Sequence, residues 1–270
     1  MFGYQEVPWD LDPFGWLIAL SPEGGVQGGT HKMRKLIGLL TVLLLCGTTV
    51  AVQGSTEVSK EAKQLEKATD VINEIMQAPD KGIPSDLLDK AVCVGVVPSE
   101  IKGAFVVGGT YGRGVLVCRE HGNGPWGAPS LFTLGGANIG FQIGGKATDV
   151  VFLVMNGAGV KKLLQDSVKL GAEVSATAGP VGRTAEGATD AQLHAEIVSY
   201  SRTRGLFGGL SLDGQVLKQD TDDNERLYGR RVSPKEILIS DVVKSPPAAA
   251  PLDKALMKYS PQGGTPFPAA

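Results

Sequence analysis

The sequence predicts an α+β fold: a mainly antiparallel β-sheet or barrel-like core with amphipathic helices at the N- and C-terminal ends. Three observations predict it. Helical periodicity is concentrated toward the two ends of the chain, while short Val-rich runs bounded by Gly or Pro fill the middle. The 37 glycines, about twice the usual share, are spread without collagen periodicity. That distribution suits tight turns and close strand packing, and segregated helices and strands argue for α+β layers.

Ser55 to Gln77 reads as one amphipathic helix, with Val58, Ala62, Leu65, Ile72 and Met76 on one face and Pro79 as its stop. A short second helix follows, with Ser85 as N-cap ahead of Leu87 and Leu88. Val92–Val97, Ala104–Val107, Val115–Arg119, Leu131–Ile143 and Val150–Met155 read as strands. Gly157–Gln165 reads as a helix. Lys169–Ala178, Leu193–Tyr200 and Leu206–Leu212 return to strand, and Asp213-Gly214 is the signal of a hairpin turn before Val216-Leu217. Ser233-Pro234-Lys235-Glu236 forms a capping box with Pro at the first helical position, ahead of Ile237, Leu238 and Ile239. Beyond Asp241 the composition shifts to Pro, Ala, Gly and Ser, so 241–270 is expected to be a flexible tail.

The first fifty residues bear on compartment. From Met33, Arg34 and Lys35 precede the apolar run Leu36–Leu45, and small residues lead to Thr49-Val50-Ala51. This pattern reads as a bacterial secretory signal peptide over 33–51 with cleavage near Ala51, which predicts a secreted or periplasmic protein, the alternative being an uncleaved membrane anchor. Residues 1–32 read as an upstream extension ahead of the true start at Met33. The domain proper is expected over 52–240. Losing 1–51 removes three cations and four acids, so the formal charge moves from −2 to −1. Two cysteines remain, Cys93 and Cys118. An oxidising compartment permits their pairing, but their Val-rich surroundings favour free thiols packed as small hydrophobes.

Several chemistries are excluded or disfavoured. No global basic excess marks a nucleic-acid footprint. Gly140–Ala147 comes within one residue of a phosphate-binding loop, yet Ala147 replaces the metal-binding hydroxyl and a strand follows instead of a helix. Gly108–Gly114 reads as a hairpin turn that exposes Arg113. His121, His194 and the two cysteines lack metal-ligand spacing, and no nucleophile elbow is present. Asp220–Glu225 lacks the central Gly and distal Glu of a calcium loop and reads as a solvated turn or helix start. No catalysis, cofactor or metal is therefore expected. Membrane contact needs exposed cations beside apolar residues. Lys60, Lys63 and Lys67 lie opposite the apolar stripe of the first helix, where Glu66, Asp70 and Glu74 at i,i+3 spacing offset their field. Arg113, Lys161, Lys162, Arg202, Arg204, Arg230 and Arg231 are the other anion-binding candidates.

A set of motifs carries a resemblance. Ala91–Pro98 (AVCVGVVP), Gly108–Arg119 (GGTYGRGVLVCR), Trp126–Leu131 (WGAPSL), Gly140–Gly144 (GFQIG), Gly179-Pro180 and above all Ser199–Gly214 (SYSRTRGLFGGLSLDG) occur in this order. Together they resemble the SYLF domain, also called the yeast-type actin-binding domain, over roughly 57–240. The resemblance implies non-catalytic binding of phosphoinositides and other anionic phospholipids, with the N-terminal helix and hence Lys60, Lys63 and Lys67 in contact with lipid. For an exported bacterial chain it implies an anionic lipid or membrane surface as ligand and not actin. The alternative is a cell-envelope scaffold that binds a protein partner.

Overall fold

Ser59 starts the first helix, α1 (Lys60–Met76), its side chain accepting the Ala62 backbone N–H at 3.1 Å. The structure is a computed structural model that describes residues 59–77, 82–98, 109–137, 148–181, 194–203, 206–240, 242–261 and 263. All lie in one compact unit, Thr56–Ala270. After α2 (Ser85–Lys90) come β1 (Cys93–Val97), β2 (Gly109–Arg119), β3 (Trp126–Ala137) and β4 (Asp149–Val154). Then follow α3 (Gly157–Leu163), β5 (Ser167–Lys169), β6 (Ala176–Ala178), β7 (Ile197–Thr203), β8 (Leu206–Gly209) and β9 (Val216–Gln219). The chain closes with α4 (Thr221–Tyr228), α5 (Pro234–Leu238) and α6 (Ala250–Tyr259).

The nine strands form one curled sheet in the order β5-β9-β3-β2-β1-β4-β7-β6, with β8 also on β7. All named pairings are antiparallel except β6 with β7. The mainly antiparallel α+β architecture expected from the sequence is the one found. Successive strand residues face opposite sides, and two apolar layers result. Val94, Val96, Val115, Val117, Val151 and Leu153 pack toward α1 and α6. Leu116, Phe132, Phe152, Val154 and Leu217 pack on the other face with Leu163 and Ile237. There the backbone of β1 and β2 must give room to aromatic rings. A Cβ on Gly95 would stand 2.1 Å from Phe152 Cζ, and one on Gly114 would stand 2.2 Å from Phe132 Cζ. The two rings meet edge-on at 5.7 Å.

Four local expectations change. Gly109–Gly114 is the first half of strand β2 and not a hairpin turn. Gly214 does turn, with φ 82, but β8 and β9 are not a hairpin, since β8 pairs with β7 and β9 with β3. Lys169–Ala178 splits into β5 and β6 around a turn at Gly171 (φ 81). Cys93 stands directly opposite Cys118 in the β1–β2 ladder, Cα atoms 3.9 Å apart, and the two are joined as a disulfide. Val-rich surroundings told nothing of that juxtaposition, which strand pairing alone creates. The expected strand Ala104–Val107 and the glycine-rich Gly140–Ala147 lie outside the described residues.

The largest correction concerns the end of the chain. Ala250–Tyr259, read as part of a flexible tail, is helix α6 and packs along α1 with Leu252, Ala255 and Leu256 buried. Pro251 sits in its first turn, where a missing N–H costs nothing. Asp253 is trapped in this packing. Ser245 Oγ donates to its Oδ2 at 3.0 Å, while its Oδ1 is buried without a partner. Burial pushes its carboxyl up to about 6. The folded state therefore holds the proton more tightly than the unfolded chain, so stability falls as pH rises from about 4 to about 6. Asp253→Asn is expected to raise the melting temperature at pH 7 by a few degrees, worth about 1 kcal/mol. At pH 4 the two proteins are expected to melt together, and thermal melts at both pH values check this.

Candidate lipid-binding surface

The ten candidate cations divide according to what the fold places beside them. Arg113, on β2, points at the start of α4. Its guanidinium bonds Asp220 at 3.3 Å and also Asp223, which is 4% exposed. The acidic run Asp220–Glu225 is thus a helix start with an internal task. Asp220 caps α4 by accepting the Asp223 N–H at 3.0 Å, and Asp223 is held between Arg113 and Arg226. Arg226 also donates to buried Glu61 of α1 at 2.8 Å. Burial opposes the charge on Glu61, yet the Arg226 bond and backbone N–H bonding hold its carboxyl below the usual range. Asp220, by contrast, is pushed up by burial.

Lys162 is committed as well, with Nζ 2.7 Å from Glu196 Oε2. Burial opposes the charge on Glu196, but Lys162 and the Ser175 N–H keep its carboxyl low. Arg202, on β7, grips Asp149 Oδ2 through Nε (3.2 Å) and Nη2 (2.9 Å) and also bonds Glu74 of α1. Beside this knot is an open cleft of about 290 Å³ lined by Lys67, Asp70, Val71, Glu74, Pro98, Asp149 and Arg202. Three carboxylates against two cations make it a poor anion site. Arg113, Lys162 and Arg202, read from the sequence as anion binders, are each given a carboxylate partner by tertiary contacts.

Lys60, Lys63, Lys161, Arg230 and Arg231 are exposed. Arg230 and Arg231 follow Gly229, whose φ of 68 ends α4 in the left-handed region. Arg204 lies outside the described residues. Two acids of α1 are engaged elsewhere, while Glu66 and Asp70 remain exposed beside the lysines. Glu61 turns to Arg226 and Glu74 to Arg202. What sequence reasoning missed is the acidic half of this site, because Asp149, Glu196, Asp220 and Asp223 are distant in the chain from the cations they hold.

Other chemistry finds little support in the geometry. Tyr200 is buried, stacked on Phe207 at 5.4 Å, with a hydroxyl that lacks a partner and that burial raises well above its ordinary pKa. Among the described residues no three His, Cys, Asp or Glu side chains gather to hold a metal, and no helix is long and apolar enough to cross a membrane.

Comparison with known proteins agrees with the motif order. Residues 135–259 match the family model described as Ysc84, Las17-binding protein actin regulator. LAS seventeen-binding protein 3 of Saccharomyces cerevisiae is 35% identical over 192 residues, covering 68% of this chain and 41% of that protein. SH3 domain-containing protein PJ696.02 of Schizosaccharomyces pombe is 38% identical over 177 residues, 64% of this chain and 40% of that protein. The human SH3 domain-containing YSC84-like protein 1 is 31% identical over 214 residues, 77% and 61% of the two chains. The chain thus spans about two fifths to three fifths of the length of these curated relatives. With the fold, the ordered motifs and these matches in agreement, the chain belongs to the Ysc84 family, the SYLF domain.

Proposed function

We propose that this SYLF domain is a non-catalytic module that binds anionic phospholipid, phosphoinositide-like headgroups included, at a membrane surface. One observation carries the reading. In the N-terminal half of helix α1, Lys60, Lys63 and Lys67 stand with two acids, Glu61 and Glu66, of which Glu61 is buried against Arg226, so the lysines outnumber the exposed acid there; Asp70 and Glu74 follow, with Glu74 bound to Arg202. Lys60 and Lys63 are exposed and form no ion pair with a described residue. They sit at the positive end of the helix dipole, an arrangement that costs stability but concentrates positive potential at one spot. Arg230 and Arg231 add exposed charge. The proposal includes export through the leader at 33–51, and the Cys93–Cys118 disulfide suits an oxidising compartment. In that setting actin is not the expected partner.

Co-sedimentation of the full chain with vesicles of graded anionic content, at low and moderate salt, tests this. Each surface lysine contributes about 1 kcal/mol near a charged bilayer, so Lys60→Ala/Lys63→Ala is expected to weaken binding roughly thirtyfold. Binding indifferent to salt would contradict the mechanism, because exposed charges are screened beyond a Debye length. A second reading, a protein-binding scaffold, is favoured by the names of the yeast relatives, one of which is called LAS seventeen-binding. Absence of binding to every vesicle composition would move the function there.

A further inference from the structure

Beyond α1 the sheet itself has an uncovered corner. The β2–β3, β3–β9 and β9–β5 registers align two neighbouring rows of residues across four strands. One row runs Tyr111, Gly135, Val216, Lys169, and the other runs Arg113, Thr133, Lys218, Ser167. Opposite partners in a ladder share a face. Here that face is the α1 side, because Val115 and Val117, which continue the same alternation on β2, pack with the α1 layer. Yet the corner is open: Tyr111 is 50% and Val216 36% exposed, and Lys169, Lys218 and Ser167 are exposed too. Their neighbours Val168 and Leu217 are fully buried on the other side. Gly135, between Tyr111 and Val216 in the row, adds no side chain to the corner.

Neither row contains an acidic residue. Arg113 is neutralised by Asp220 and Asp223, and Glu173 accepts the Lys169 backbone N–H at 2.9 Å at the edge of the corner. The corner adjoins the lysine-rich half of α1 directly, because Gln64 Nε2 donates to the Arg113 carbonyl at 2.6 Å. Lys60 and Lys67 stand at i−4 and i+3 from Gln64, on the same helical side.

We infer that this sheet corner, with Tyr111 and Val216 framed by Lys169 and Lys218, is the part of the SYLF domain that lies on an anionic phospholipid bilayer. The inference rests on the membrane reading above. The charge is complementary to an anionic surface, and the pattern is the interfacial one: lysine heads at headgroup level around an aromatic and a small apolar side chain. Tyrosine suits that depth, with its ring in the acyl boundary and its hydroxyl at the polar side. Lys169 and Lys218 add two exposed cations to Lys60 and Lys63 of the neighbouring helix.

The test uses the full chain with vesicles of phosphatidylcholine alone or containing about one third phosphatidylglycerol. Lys169→Glu/Lys218→Glu is expected to lower association with the anionic vesicles more than tenfold. Lys235→Glu, the same charge change on α5 beyond the opposite face, is expected to leave it within twofold of the parent. Tyr111→Trp, a change of similar shape, supplies an independent readout: brominated acyl chains are expected to quench its fluorescence beyond the quenching of the parent tryptophans. Binding by the parent that both Lys→Glu variants retain, with no added quenching at position 111, overturns the corner while the membrane reading stands. Failure of the parent to bind any vesicle overturns both.

Discussion

Arg119→Met is expected to lower the unfolding free energy by about 3–5 kcal/mol, seen as a lower urea midpoint with an unchanged slope. The side chain is fully buried. Its donors reach the carbonyl oxygens of Ala91 (3.1 Å), Gly124 (3.2 Å) and Ser260 (3.2 Å), and Ser260 Oγ at 2.6 Å. The guanidinium carbon also lies 4.0 Å from the Trp126 ring centroid, and Trp126 Nε1 donates to the Ser260 carbonyl at 3.0 Å. Methionine supplies comparable apolar bulk but no donors, which leaves these acceptors unsatisfied inside the protein. Arg119→Lys is expected to recover little, because one ammonium cannot replace a planar fork with separate targets.

The same clasp holds the end of α6. Ser260 Oγ in turn donates to Asp89 Oδ1 at 2.5 Å, so α6, α2 and β2 meet at one point. Removing residues 247–270 takes away Leu252, Ala255 and Leu256 along with the two acceptors that Ser260 offers Arg119. The truncated chain is expected to lose cooperative melting, because the loss rivals the whole stability of a domain. Melting of that truncation at the parent temperature would show the clasp to be unimportant. Deleting the C-terminal segment is therefore no test of partner binding, as it would be for a flexible tail.

Arg113→Met is expected to cost about 2–3 kcal/mol, a buried ion-pair loss reduced because Arg113 is 27% exposed at its side chain and Arg226 still faces Asp223. Adding Asp223→Asn is expected to restore more than half of that loss, since the damage is a buried carboxylate left short of a partner. Urea midpoints of the two single variants and the double variant measure the coupling. Below its melting temperature Arg113→Met is expected to bind anionic vesicles as the parent does. A selective loss of vesicle binding with unchanged stability would return Arg113 to the list of lipid contacts.

Local patterns in the chain were legible where a side chain's task is set by its near neighbours. Ser233 and Glu236 form both bonds of the capping box, and in the stripe that helical spacing predicts Leu65 and Ile72 are buried, with Ala62 and Met76 half-buried. β1 and β4 are short Val-rich apolar runs, and both are buried centrally in the sheet. α6 was not legible. Its Pro- and Ala-rich approach resembles a linker, and its apolar positions gain meaning only against α1. The site divides in the same way: exposure of Lys60 and Lys63 follows from α1 alone, while Lys162, Arg202 and Arg113 meet carboxylates 34, 53 and 110 positions away in Glu196, Asp149 and Asp223.

By itself the sequence determined the fold class, the family and the strands and helices whose periodicity is local, because burial patterns at period 2 or 3.6 need no knowledge of partners. The tertiary structure alone decided which cations are free, which cysteines pair, and that Tyr111, Val216, Lys169 and Lys218 share one open corner. Charge neutralisation, disulfide bonding and shared faces are properties of distance in space. In a sheet ordered β5-β9-β3-β2, that distance has little relation to distance along the chain.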